Sequence, residues 1–478
     1  MSISLMMQKK SILGRLALGL ACAGLIACSG GSGKRSGLGK GDPPLPPKQN
    51  GKKNADKNDP DKPKKKVVRK ISKNARKDYG EAVAFYKQQM EAGWDQGKCE
   101  SAADKFRGVA KSHPKLVEAR YMVGRSLHNC GMEQKAEKAY QKALEADSSH
   151  ALSLSNLGEI YFKAGKADSA KKYWNSAVKA DGKIAAARNN LAWLIIKQLR
   201  TTKDRKKWKE LEAEARIQLS SSLAVDNENV KTYTLYGLLY LEGSERNKNR
   251  LDLAKLLLDE GAKRNDKFAP LYNARGLLQM KRNNQSSALT NFENAVNLDP
   301  AFVEARMNVG NITLGFRKYN VAETQFAEVL KIRPKYYEAL LGLGIAQRGL
   351  NKLDEAEGSY KKAMELDKKR GAAYFNMGVL YKDFRANQSH ADPLKGPQDM
   401  YKEARKYFNQ FVKKSDATAA DKKEAQDNIS DCDKIIKQLD DVMKAMAEAE
   451  KAAAADAAAN GGGGGDAAGS GDAGGGGQ

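Results

Sequence analysis

Five cysteines and four histidines are the side chains of this 478-residue chain best suited to nucleophilic, redox or metal chemistry. Their spacing removes most of those options. His113, His128, His150 and His390 are scattered, with no pair four residues apart and no cysteine or carboxylate at ligand spacing, so no metal site is expected. No serine–histidine–aspartate set, paired-carboxylate motif or cofactor fingerprint occurs, and the chain reads as a non-enzyme without a cofactor. Gly33 before Lys34 and Gly39 before Lys40 do not make a phosphate loop, because no strand precedes them and no Ser or Thr follows the lysine. What remains is thiol chemistry at Cys28, Cys99 and Cys130. Cys22 lies inside an apolar leader and Cys432 is left over.

The elements around Cys28 define an address. Lys9, Lys10 and Arg15 precede a 12-residue apolar stretch, Leu16 to Ala27, too short for a bilayer that needs a helix of about 20 residues. The stretch ends in Leu25, Ile26, Ala27 and Cys28, followed by Ser29. This run resembles the lipobox of bacterial lipoproteins. The resemblance implies a signal peptide over 1–27, acyl chains on Cys28 as the new N-terminus, and sorting to the outer membrane by Ser29, with the protein facing the periplasm. Residues 28–77 then read as a disordered tether, rich in Pro, Gly, Asn and Lys, with too little apolar surface to fold. About 45 such residues span roughly 35–40 Å. Net charge is +25, but residues 1–27 hold three cations and residues 29–77 hold 16 Lys or Arg against four Asp. The remainder carries only a mild excess, and no nucleic-acid partner is expected.

Beyond the tether, small and bulky residues keep a 34-residue period. Gly124 and Gly158 are 34 apart, as are Gly276, Gly310, Gly344 and Gly378, with Ala192 and Gly237 completing the series across two insertions of 11 and 5 residues. Twelve residues on stand Ala136, Ala170, Ala288, Ala322 and Ala356. Four further on stand Tyr140, Trp174, Phe292, Phe326 and Tyr360. Small residues where helices cross allow close approach, and a hairpin that cannot bury its apolar face alone must stack on its neighbours. The pattern resembles the tetratricopeptide repeat (TPR). It implies an all-α superhelical solenoid: a degenerate leading hairpin over 78–116, eight repeats over 117–418, a capping helix over 419–458 and a disordered Gly/Ala tail over 459–478. Pro393 and Pro397 are expected to preclude a continuous helix through the extra stretch 387–400 in repeat eight.

In such arrays the first helix of each hairpin lines a groove that holds a partner. Carried onto this chain, the groove positions give an apolar stripe: Phe162, Trp193, Ile196, Leu238, Leu241, Leu277, Met280, Leu314, Leu341, Ile345 and Phe375. The competing reading packs the same side chains against adjacent helices. Stacked hairpins also bring the start of the leading unit's second helix beside the end of repeat one's first helix. A Cys99–Cys130 disulfide is therefore expected in an oxidising periplasm. Lipobox, tether, repeats and tail together resemble the TPR lipoproteins of the adventurous gliding-motility machinery of myxobacteria. That resemblance implies a lipid-anchored scaffold binding envelope proteins of a multi-protein machine. A pilotin-like assembly factor for a secretin or pilus, and a cell-wall or polysaccharide binder using the basic tether, are the rival readings.

Overall fold

The computed structural model describes residues 71–460, with side chains to residue 457. The leader, Cys28, most of the tether and the tail from residue 461 lie outside the described residues. Every regular element among the described residues is helical, and the chain divides into two compact units between Glu304 and Ala305.

The N-terminal unit is a run of antiparallel hairpins. The leading hairpin is α1 (Lys73–Glu91) with α2 (Gln96–Ser112), followed by α3 (Val117–Asn129) with α4 (Glu133–Ala146) and α5 (Ala151–Lys163) with α6 (Ala167–Ala180). Then come α7 (Ala185–Leu199) with α8 (Arg205–Val225), α9 (Val230–Glu242) with α10 (Arg250–Arg264), and α11 (Ala269–Lys281) with α12 (Gln285–Leu298). The first five residues of α1 fall inside the expected tether, because the Ser72 side chain accepts a hydrogen bond from the Ala75 N–H and caps the helix.

Local chemistry sets both ends of each hairpin. The turn between its two helices passes through the left-handed region seven residues after the register glycine, at Gly131, Gly165 and Asn283 in this unit. The second helices from α4 to α12 each stop at an Asp or Asn whose side chain accepts from a loop N–H two residues on, as Asn265 does from Lys267. Asp147 accepts from the Ser149 N–H, Asp181 from Lys183, Asp226 from Glu228 and Asp299 from Ala301. Within the hairpin, the bulky residue of the second helix lies on the register glycine of the first. A Cβ on Gly124 would stand 2.6 Å from the Tyr140 ring, and Trp174, Leu258 and Phe292 block Gly158, Gly237 and Gly276 in the same way. Trp174 is fully buried and its indole N–H donates to the Ser155 carbonyl at 3.0 Å.

The two insertions thicken the unit at one place. They lengthen α7 and α8 and add the turn before α10, and Trp208 and Leu211 of α8 join Leu199, Leu238 and Leu241 in one core. Arg246 lies over the Trp208 ring, 4.2 Å from its centre, and Arg250 pairs with Glu212 at 2.5 Å.

The C-terminal unit continues the plan with α13 (Val303–Gly315), whose first two residues belong to the other unit, and α14 (Tyr319–Ile332). Next are α15 (Tyr337–Gly349) with α16 (Leu353–Leu366) and α17 (Ala372–Val379). Helix α17 runs into a π-turn (Leu380–Phe384) and a 3-10 turn (Arg385–Asn387) before α18 (Lys395–Val412). Phe326, Tyr360 and Phe408 cover Gly310, Gly344 and Gly378, and Phe326 also touches Gly342 of the following hairpin. No continuous helix runs through 387–400, since residues 388–394 are non-helical and Pro393 lies in that break. Pro397 is the third residue of α18, where a first-turn amide has no intrahelical acceptor to lose. The unit ends in α19 (Ala419–Asn460), 42 residues and about 63 Å long. Its first half packs Ala425, Cys432 and Ile436 against Phe375, Phe408 and Phe411. Further along, Val442 and Met446 are exposed.

Candidate functional site

The first helices place the expected groove residues in register, but burial decides between the two readings of the apolar stripe. Trp193, Ile196, Leu238, Leu241, Leu314, Leu341, Ile345 and Phe375 are buried, and Phe162, Leu277 and Met280 are half-buried. The open apolar groove is therefore corrected. In the N-terminal unit, Trp193, Ile196, Leu238 and Leu241 form one cluster with Trp208, and Phe162 and Leu277 pack against it. In the C-terminal unit, Phe375 meets the rings of Phe408 and Phe411 at 5.4 and 5.2 Å. Apolar area left facing water forfeits about 25 cal/mol per Å², so stacking hairpins close this seam.

What stays accessible is a polar and aromatic row beside the seam, on α3, α5 and α9 of the N-terminal unit. Tyr121, Arg125 and His128 of α3, Asn156, Glu159 and Phe162 of α5, and Lys231 of α9 are half-buried. The Asn156 amide donates to the Tyr140 hydroxyl at 2.9 Å and reaches the Tyr121 hydroxyl at 3.5 Å. Glu159 lies 3.6 Å from Lys163, and Phe162 meets Trp193 edge-on at 4.9 Å. Lys231 donates to the Asn190 side-chain carbonyl at 3.0 Å. Burial pushes the Lys231 ammonium below its ordinary value, against the pull of Glu159. Burial likewise lowers the His128 imidazole and raises the Tyr121 phenol. The row thus alternates charge, with Arg125, Glu159 and Lys231 along the stack and amides between them. Its Asn156, Asn190 and Lys231 do not stand out in the sequence. The usable signal is an asparagine two residues before the register residue, at Asn156, Asn190, Asn308 and Asn376.

Cys99 and Cys130 are joined by a disulfide that ties α2 to the end of α3, with their Cα atoms 6.3 Å apart. Cys432 is buried, and burial pushes its thiol up to about 11, so it holds no nucleophile near neutral pH. Among the described residues, no group of three or more His, Cys, Asp or Glu could hold a metal ion, and no helix is long and apolar enough to cross a membrane.

Family models described as tetratricopeptide repeat match residues 91–151 and 310–371, and residues 151–184. The hairpins within these stretches are tetratricopeptide repeats. Repeats of this kind generally mediate contacts between proteins. Solved structures similar to this array include a thermophilic TPR protein of Thermus thermophilus, 22% identical, covering 41% of this chain and 99% of its own, with a TM-score of 0.36. A tetratricopeptide repeat protein of Parabacteroides merdae is 14% identical over 57% of this chain and 99% of its own, with a TM-score of 0.43. YrrB, a TPR protein with an unusual peptide-binding site, is 17% identical over 50% of this chain and 96% of its own, with a TM-score of 0.26. No curated protein matches the chain significantly.

Proposed function

We propose that this protein is a lipid-anchored scaffold of the bacterial outer membrane, acylated at Cys28. Its tetratricopeptide array holds a segment of an envelope protein along the row from Tyr121 to Lys231. The observation that carries the reading is the half-buried, charge-alternating row itself. Its aromatic and amide groups sit on rigid helices and can pair with a polypeptide backbone at little ordering cost. The lipobox residues Leu25 to Cys28 support the anchor, and the wider resemblance supports a place in a gliding-motility machine.

Crosslinked pull-down from native membranes tests the scaffold. Arg125→Glu with Glu159→Lys should abolish capture of envelope partners while the helical circular dichroism signal stays unchanged. Retained capture would end the assignment of this row. Mass spectrometry of the mature N-terminus tests the anchor separately, since an unmodified residue 28 removes it.

A further inference from the structure

The two insertions that interrupt the repeat period bring a dense group of cations to one end of the third and fourth repeats. Between residues 197 and 209 seven Lys or Arg face one Asp, and between 245 and 250 three face one Glu. The corresponding stretches of the uninterrupted repeats, such as 163–169 or 281–285, hold two cations each. Arg200, Lys207 and Arg250 are paired, with Glu242, Glu210 and Glu212. Lys203, Arg205, Lys206, Lys209 and Lys248 are exposed, and none of them has an acidic partner within reach among the described residues. The scaffold beneath them is fixed, because Trp208 is buried under Arg246 and belongs to the core of the unit.

Apolar side chains stand on the outward faces of the same helices. Ile217 of α8 and Leu256 of α10 occupy equivalent places, two residues past the buried Ala215 and Ala254, and they are 60% and 58% exposed. Leu253 is 45% exposed. The matching places in other repeats hold Lys138, Lys172, Thr290, Thr324 and Gly358. Along α8 the exposed residues Lys206, Lys209, Ala213 and Ile217 follow one helical stripe that passes from charged to apolar.

From this arrangement we infer that the outer face of α8 and α10 lies against an anionic lipid bilayer, with the lysines over the headgroups and Ile217, Leu253 and Leu256 at the acyl boundary. Flexible cations beside a few exposed aliphatics suit a bilayer surface. A nucleic-acid surface calls for stacking aromatics, and the one aromatic of the patch, Trp208, is buried. The inference goes beyond the scaffold reading and stands if that reading fails.

The test uses the full chain on phosphatidylglycerol vesicles and on phosphatidylcholine vesicles, with lysine acetylation mapped by mass spectrometry. Lys203, Lys206, Lys209 and Lys248 should react at least about threefold more slowly on the anionic vesicles, while Lys138, Lys142 and Lys172 keep their rates. Salt at about 1 M, where screening acts within about 3 Å, should abolish the difference. Ile217→Ser with Leu256→Ser should reduce the protection without removing it. Equal rates on both vesicles overturn the inference. Protection by a soluble RNA oligomer matching that by vesicles also overturns it, and assigns the patch to a polyanion.

Discussion

The two units use one repeat plan to opposite ends. In the C-terminal unit the inner positions are sealed, with Leu341, Ile345 and Phe375 buried and α19 laid over the last hairpin through Lys382, which donates to Asn428 at 2.8 Å and pairs with Asp431. In the N-terminal unit the positions one and four residues past the register residue are sealed in the third and fourth repeats by Trp193, Ile196, Leu238 and Leu241, but in the first two repeats they hold Arg125, His128 and Glu159 beside Phe162. Aliphatic side chains at an inner position make a joint between hairpins, whereas charged and amide side chains leave a place for another molecule. One register position thus serves cohesion or recognition according to residue type.

The largest effect that could break this comparison is expected at the joint. Leu238→Asp, a charge placed in a 3% exposed site, should unfold the N-terminal unit or destabilise it by more than about 4 kcal/mol in urea denaturation. Arg125→Glu should change the same unfolding free energy by less than about 0.5 kcal/mol. Equal losses would mean that the row is as much a joint as the seam. Next in size, Cys99→Ser with Cys130→Ser should cost about 3–4 kcal/mol in the chain-entropy model, for a separation of 31 residues. A smaller effect is pH-linked. The unfolded His128 imidazole, near its ordinary value of about 6.5, takes up a proton that the buried one resists. Stability of the N-terminal unit should therefore fall as pH drops through that value, and His128→Gln should flatten the profile. The smallest concerns the hairpin turn of the C-terminal unit, where Arg317 takes the left-handed place at φ 58° that Gly131 and Gly165 fill upstream. Arg317→Gly should raise the unit's unfolding free energy by about 0.5–1 kcal/mol, read as a higher melting temperature.

The repeats are legible in the sequence because Gly124 and Tyr140, or Gly158 and Trp174, are locked by volume. Each glycine is needed under the ring 16 residues later, so the spacing cannot drift. The positions of the inner stripe are legible too, but periodicity carries no measure of how closely neighbouring hairpins approach. Trp193 and Leu238 have the spacing of surface anchors and are core, since the extra turns of α8 bring Trp208 and Leu211 against them. The polar row is harder to see. Lys231 and Asn190 lie 41 residues apart across an insertion, and only the stacked helices bring them together.

The disulfide has a mechanical consequence. A pull on the chain ahead of Lys73 enters the array as a load on α1, and peeling residues 73–98 releases about 90 Å of extended chain at most. There the force meets the covalent link between Cys99 and Cys130 and is handed across it, so the segment between them bears no tension. Helix α1 can yield as a shock absorber while Tyr121, Arg125 and His128 of α3, inside the bridged segment, keep their places.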